Sequence, residues 1–167
     1  RVGDSLHRGV ATNTIAGSLI LVADRGNMPA LDTQHLRNIA LVSHSGAGKT
    51  SIAEAMLLAS GAITRKGRVD DGTTVTDYEP EEVKRNSSIQ TSLAPCVWDE
   101  HKINIIDTPG YPDFVGEVIS GLRAADAAVV VVAAHAGVEV GTQEVWGMCE
   151  EAGIPRIVFI NKMDHRF

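Results

Sequence analysis

The sequence predicts an α/β fold: a doubly wound, mostly parallel sheet with helices on both faces. Three observations carry this. From Asn38 onward, short apolar runs alternate with segments of helical spacing. One run, Ala127 to Ala134, is apolar throughout, as in strands covered on both faces. A Gly-rich turn, Ser43 to Gly48, joins the first of these strands to the first helix. The 167 residues make one ordinary domain, which buries roughly 70% of the surface of its unfolded chain.

Residues 1–35 read as an N-terminal segment without assigned chemistry, able to add an edge strand at Ser18 to Ala23 or to be largely mobile. Residues 36–167 form the α/β unit. Ile39 to Val42 is its first buried strand. Lys49 to Ser60 is a helix with Ile52, Met56 and Ala59 on one side, and Gly61 stops it. Thr64 to Ser87 is polar and aperiodic, a loop long enough to be functional. Ser88 to Trp98 reads as a strand, Asp99 to Lys102 as a hairpin turn, and Ile103 to Ile106 as the partner strand. Pro112 to Ala124 is a helix presenting Val115, Ile119 and Leu122. Gly141 to Ala152 is another, and Arg156 to Ile160 is a last buried strand.

Composition narrows the function. Hydrophobic residues make up 44% and aromatics 4%, so aliphatic side chains must build the core. A formal charge of -6 excludes a grip on DNA or RNA by charge alone. Cys96 and Cys149 are isolated thiols without metal-ligand spacing, suiting a reducing cytoplasm. The longest apolar run, Ile15 to Ala23, falls short of the ~20 residues of a membrane helix. His44, His101, His135 and His165 show no metal spacing. Trp98 and Trp146 read as core or rim packing residues, Asp70 and Asp71 as a polar turn, and the acidic run Asp77 to Glu82 as solvated loop.

Three motifs carry chemistry. Ser43-His44-Ser45-Gly46-Ala47-Gly48-Lys49-Thr50, with Ser51 following, lies between a strand and a helix, the context that a P-loop requires. Small residues let backbone N–H groups curl around a phosphate, and the helix N-terminus adds partial positive charge. Lys49 then reaches the β- and γ-phosphates, and Thr50 offers its hydroxyl to Mg²⁺. Asp107-Thr108-Pro109-Gly110 follows an apolar strand, placing Asp107 to hold Mg²⁺ and Gly110 to bring its N–H to a γ-phosphate. Asn161-Lys162-Met163-Asp164 ends the last strand. The Asp164 carboxylate can accept two hydrogen bonds from guanine, with Asn161 bracing the loop and the Lys162 stem lying along the ring. An ATP-using P-loop enzyme remains the alternative, for which this third motif is accidental.

With these motifs in order, the chain resembles the translational GTPases of the elongation factor G type over about Leu36 to Asp164. Arg37-Asn38-Ile39, Ile103 to Gly110, Ala136-Gly137-Val138-Glu139 and Pro155-Arg156-Ile157 extend the likeness. The resemblance implies GTP and GDP as ligands with Mg²⁺, GTP hydrolysis, and the ribosome as partner. It covers translocation, ribosome disassembly and ribosomal protection alike. It implies a monomeric, cytoplasmic protein without membrane or DNA partners. It labels Thr64 to Ser87 as most of the first switch loop. Ser88 stands where the family has a threonine touching Mg²⁺, which makes Thr50, Ser88 and Asp107 the implied metal residues. Lys49, Gly110 and Tyr111 occupy the catalytic positions.

Departures from the family pattern matter. Gly46 replaces the P-loop aspartate, Arg85-Asn86-Ser87-Ser88 replaces Arg-Gly-Ile-Thr, and Tyr111 stands in place of the catalytic histidine. Such changes are similar to those of elongation factor G-like paralogues. They leave open a GTP/GDP switch that hydrolyses poorly. Ending at Phe167, the sequence is expected to be an incomplete G domain that alone binds nucleotide and hydrolyses GTP weakly.

Overall fold

The computed structural model describes residues 32–164 and the backbone of two short strands before them. The chain divides into two units, Arg1–Leu31 and Asp32–Phe167. In the first, β1 (Asn13–Ile15) pairs antiparallel with β2 (Ser18–Ile20) in a sheet of their own. The edge strand expected at Ser18 to Ala23 is thus a hairpin arm over Ser18–Ile20, and residues 21–23 lie outside the described residues.

The second unit runs β3 (Leu36–Val42), α1 (Lys49–Ala59), α2 (Pro80–Arg85), β4 (Ser92–Trp98), β5 (His101–Asp107), α3 (Val115–Ala124), β6 (Ala127–Ala133), α4 (Val140–Glu151) and β7 (Arg156–Asn161). Its sheet has the order β4-β5-β3-β6-β7, parallel throughout except for β4. Strand alternation sends neighbouring residues to opposite faces. Ala40 and Val42 join Val118, Leu122, Val145 and Cys149 beneath α3 and α4. Leu41 joins Ala53, Leu57, Ala94, Cys96 and Ile105 beneath α1. The two cysteines are free, buried in different clusters, and burial pushes both thiols up. Among the described residues no helix is long and apolar enough to cross a membrane.

The hairpin is tighter than expected. Asp99 and Glu100 both adopt positive φ, 46° and 63°, so a two-residue turn suffices and β5 starts at His101. Strand β4 begins at Ser92 rather than Ser88, because the N–H groups of Ile89, Gln90 and Thr91 bond to carboxylates instead of a neighbouring strand. The polar loop also holds α2, with Pro80 in its first turn and a capping box between Glu79 and Glu82. The acidic run is not solvated throughout: Asp77 and Glu82 are buried, at 3% and 1% exposure.

Two packing expectations are corrected. Strand β7 forms, but Ile157, Val158, Phe159 and Ile160 are exposed; β7 pairs only with β6 at the sheet edge. Trp98 is exposed beside the hairpin turn, whereas Trp146 packs at the rim as expected, with the Arg156 guanidinium 4.1 Å from its ring centre.

Candidate functional site

The carboxyl ends of β3, β5, β6 and β7 share one side of the sheet. Leu41 pairs with Asp107, Val42 with Val130, and Ala133 with Asn161. Strand β3 sits centrally with β5 on one flank and β6 on the other, which makes its end the switch point where open α/β sheets bind ligands.

The P-loop begins there. Gly48, the residue before α1, has φ 100°, and a Cβ on it would strike the Asn161 amide nitrogen. Ser43, in place of a smaller residue, donates from Oγ to the His44 carbonyl at 2.7 Å and accepts from Lys49 Nζ at 3.0 Å. That bond holds the buried ammonium inside the turn. Burial lowers the Lys49 pKa to about 8, against the pull of Asp107 and Asp77. His44 Nε2 lies 3.6 Å from Glu139 Oε1, and its Nδ1 is buried without a partner against Gly141. Ser51 is exposed in the first turn of α1.

Thr50, Ser88 and Asp107 come together. Thr50 Oγ1 donates to Asp107 Oδ2 at 2.8 Å, and Ser88 Oγ donates to Asp77 Oδ1 at 2.6 Å. The two hydroxyl oxygens stand 3.2 Å apart. Each hydroxyl has one proton. With both protons on carboxylates, lone pairs face each other across that gap. Asp77 Oδ2 and Asp107 Oδ1 are also buried without partners. Unpartnered oxygens on two carboxylates, with two hydroxyl oxygens, fit a small hard cation such as Mg²⁺. Among the described residues no cluster of three or more His, Cys, Asp or Glu is placed to hold a metal; hydroxyls complete this donor set instead.

Burial raises the Asp107 carboxyl to about 6, although Lys49, Thr50 and Thr76 all favour its charged form. Burial also raises Asp77, with the Ser88 hydrogen bond acting against it. Thr76, which donates to Asp107 Oδ2 at 2.9 Å, and Asp77 were not singled out in the sequence as site residues. Their signal was faint: two residues of an aperiodic loop, whose place depends on how the loop folds back.

The Asp-Thr-Pro-Gly turn lies on the P-loop. Thr108 Oγ1 donates to the Leu41 carbonyl at 2.7 Å, and Pro109 is fully buried. A Cβ on Gly110 would sit 2.5 Å from Lys49 Nζ and 2.8 Å from Ser45 Cα. Tyr111 is 48% exposed and lines a cleft with Ser43, Pro109, Val115, Val145 and Met148. At the end of β7, Asn161 Nδ2 donates to the Ala47 carbonyl at 2.9 Å, tying the third motif to the P-loop. Lys162 adopts φ 58°, and Met163 and Asp164 are exposed beyond it. The structure therefore brings Asn161 to the phosphate turn and leaves the other three residues on the outer turn.

The family of the elongation factor Tu GTP binding domain matches residues 34–166. An elongation factor G-like protein of Mycobacterium tuberculosis is 46% identical over 130 residues, covering 78% of this chain and 18% of that protein. Ribosome-releasing factor 2, mitochondrial, of Candida dubliniensis is 50% identical over 128 residues, covering 77% of this chain and 16% of that protein. A crystal structure of a Thermus thermophilus protein shares the fold with a TM-score of 0.75 at 48% identity, covering 77% of this chain and 19% of that one. The chain thus spans less than a fifth of the length of these relatives. By the family match and by identity over nearly all of its α/β unit, the chain belongs to the translational GTPases, of the elongation factor G type.

Proposed function

We propose that this domain binds GTP and GDP with Mg²⁺, and hydrolyses GTP, within a longer protein that acts on the ribosome in translocation or disassembly. One observation carries the reading: Lys49, Thr50, Ser88 and Asp107, from three separate stretches of chain, meet at the carboxyl end of β3, where Asp107 Oδ1 and the neighbouring Asp77 Oδ2 are left unpartnered. The names of relatives, an elongation factor G-like protein and a ribosome-releasing factor, supply the ribosomal context.

In this reading the P-loop N–H groups and the α1 N-terminus bind the β-phosphate. Lys49, already held by Ser43, meets the β- and γ-phosphates, whose charge favours its ammonium form against the cost of burial. Thr50, Ser88 and Asp107 hold Mg²⁺, which when bound neutralises charge on the phosphate oxygens. Asp77 supports Ser88 from behind. Gly110 brings its backbone beside Lys49, where a γ-phosphate contact forms before hydrolysis and is lost after it. Asp164 accepts from guanine, while Asn161 fixes the P-loop to the base loop. Tyr111, half exposed, favours a second reading as a nucleotide switch with weak hydrolysis.

The test is nucleotide choice in the full-length protein. Wild type binds GTP and GDP and rejects ATP, by up to roughly 10⁴-fold for a site built on substrate N–H groups. Asp164→Asn loses guanine affinity and gains affinity for xanthine nucleotides, whose ring presents an acceptor there. A variant that keeps its guanine preference removes Asp164 from the base site.

A further inference from the structure

We propose that Glu82 is a positioning residue of the nucleotide site: its buried carboxylate fixes the backbone after Ser88, so that the Ser88 hydroxyl stays beside Thr50. The inference rests on the reading of Thr50, Ser88 and Asp107 as the Mg²⁺ residues.

Glu82 belongs to a six-residue helix, α2, which is too short to persist without tertiary support. Asn86 ends it at φ 50° and turns the chain back, and Ser87 N–H closes on the Glu82 carbonyl at 3.1 Å. The returning chain passes directly over the Glu82 side chain. Its Oε1 accepts from Ile89 N–H at 2.9 Å and from Gln90 N–H at 3.0 Å; its Oε2 accepts from Glu79 N–H at 3.3 Å. At 1% exposure this carboxylate has three N–H donors and no cationic partner within salt-bridge distance among the described residues. Hydrogen bonds to an ionised acceptor are about twice as strong as neutral ones, and burial shields them from competing water.

Ser88 directly precedes the first of the two pinned residues. Its hydroxyl must reach both Asp77 Oδ1 and Thr50 Oγ1, at 2.6 Å and 3.2 Å. Nothing in Ser88 itself sets that direction, since a serine hydroxyl takes any of three staggered positions. The pinned backbone on one side and Asp77 on the other decide it. Glu54 does a different job from α1, accepting from Gly67 and Val75 N–H at 2.7 Å and 2.6 Å, and so holds the start of the loop rather than Ser88.

Glu82→Gln keeps the shape but loses the charge, and turns an NH₂ donor toward N–H donors. In the full-length protein, the Mg²⁺ concentration for half-maximal binding of a fluorescent GTP analogue is measured for wild type, Glu82→Gln, Ser88→Ala and the double variant. The expected result is a rise of about tenfold in each single variant, a double variant no worse than the larger single one, and Mg²⁺-free GDP affinity within twofold of wild type. Additive effects in the double variant, or a Glu82→Gln that lowers Tm without moving the Mg²⁺ requirement, overturn the positioning role. If Ser88→Ala leaves the requirement unchanged, Ser88 is not a metal residue and the inference falls with that reading. If Ser88→Ala raises it and Glu82→Gln does not, this inference alone fails. Should Glu82→Gln not fold, Gln90→Pro removes one donor, leaves Glu82 in place and carries the same expectations.

Discussion

Asp107 accepts hydrogen bonds from two hydroxyls on one oxygen while its other oxygen has no partner, so the carboxylate is both held and under-solvated. Its folded pKa is raised to about 6 from an ordinary 3.8. The folded state therefore binds this proton more tightly than the unfolded chain, and the group adds stability as pH falls through 6 toward 4. In nucleotide-free thermal melts from pH 7.5 to pH 5, wild type gains about 1 kcal/mol relative to Asp107→Asn. A difference between the two that stays flat over that range removes the raised pKa. Tyr111 offers a second residue-scale test. A phenol donates or accepts one hydrogen bond to water but cannot become cationic near neutral pH, and its oxygen sits farther from the backbone than an imidazole nitrogen. In the full-length protein, and with the ribosome as its proposed partner, Tyr111→His raises turnover on ribosomes at least tenfold, a barrier change of about 1.4 kcal/mol, with GDP affinity unchanged. Equal rates for Tyr111→His, Tyr111→Phe and wild type show that the side chain has no part in hydrolysis.

Among the elements, the stretch between α1 and β4 depends on glutamates of α1, of α3 and of its own short helix α2. Glu54, Glu82 and Glu117 each accept backbone N–H groups from residues 67–91, doing for this stretch what a neighbouring strand does elsewhere. The turn after β5 depends on close approach instead, and glycine substitutions separate the two kinds of constraint. Gly110→Ala places a methyl against the Ser45 backbone and costs about 1–3 kcal/mol, as overpacking does. Gly147→Ala, in the middle of α4 with open space around it, stabilises by about 0.5–1 kcal/mol. Denaturant melts of both variants check this pair, and a neutral Gly110→Ala contradicts the contact between turn and P-loop.

For the whole α/β unit, one edge of the sheet differs from the interior. Strands β3 and β6 are covered on both faces, whereas β7 shows Ile157 at 65% and Phe159 at 44% exposure along an edge with free backbone groups. An apolar exposed edge strand is a template for association between chains. The apparent molar mass of this 167-residue chain by light scattering therefore rises with concentration, and Ile157→Lys with Phe159→Lys suppresses that rise while the circular dichroism of the sheet persists. Scattering unchanged by the two lysines places the association elsewhere.

The sequence by itself determined the alternating α/β order, the strand and helix centres, and the three loops on which the proposed chemistry rests. Apolar periodicity and glycine-rich turns are local signals, and each was readable where it stood. Asp107 and Thr50 were readable as partners because their motifs follow strands whose ends must meet at a parallel sheet's carboxyl edge. Only the tertiary structure decided that Thr76 and Asp77 join them, that Glu82 is buried rather than solvated, that Ser43 holds Lys49, and that β7 is an exposed edge. The reason is physical. A loop without periodicity takes its shape from hydrogen bonds to carboxylates far along the chain, and an apolar run states that a strand forms without stating what will cover it.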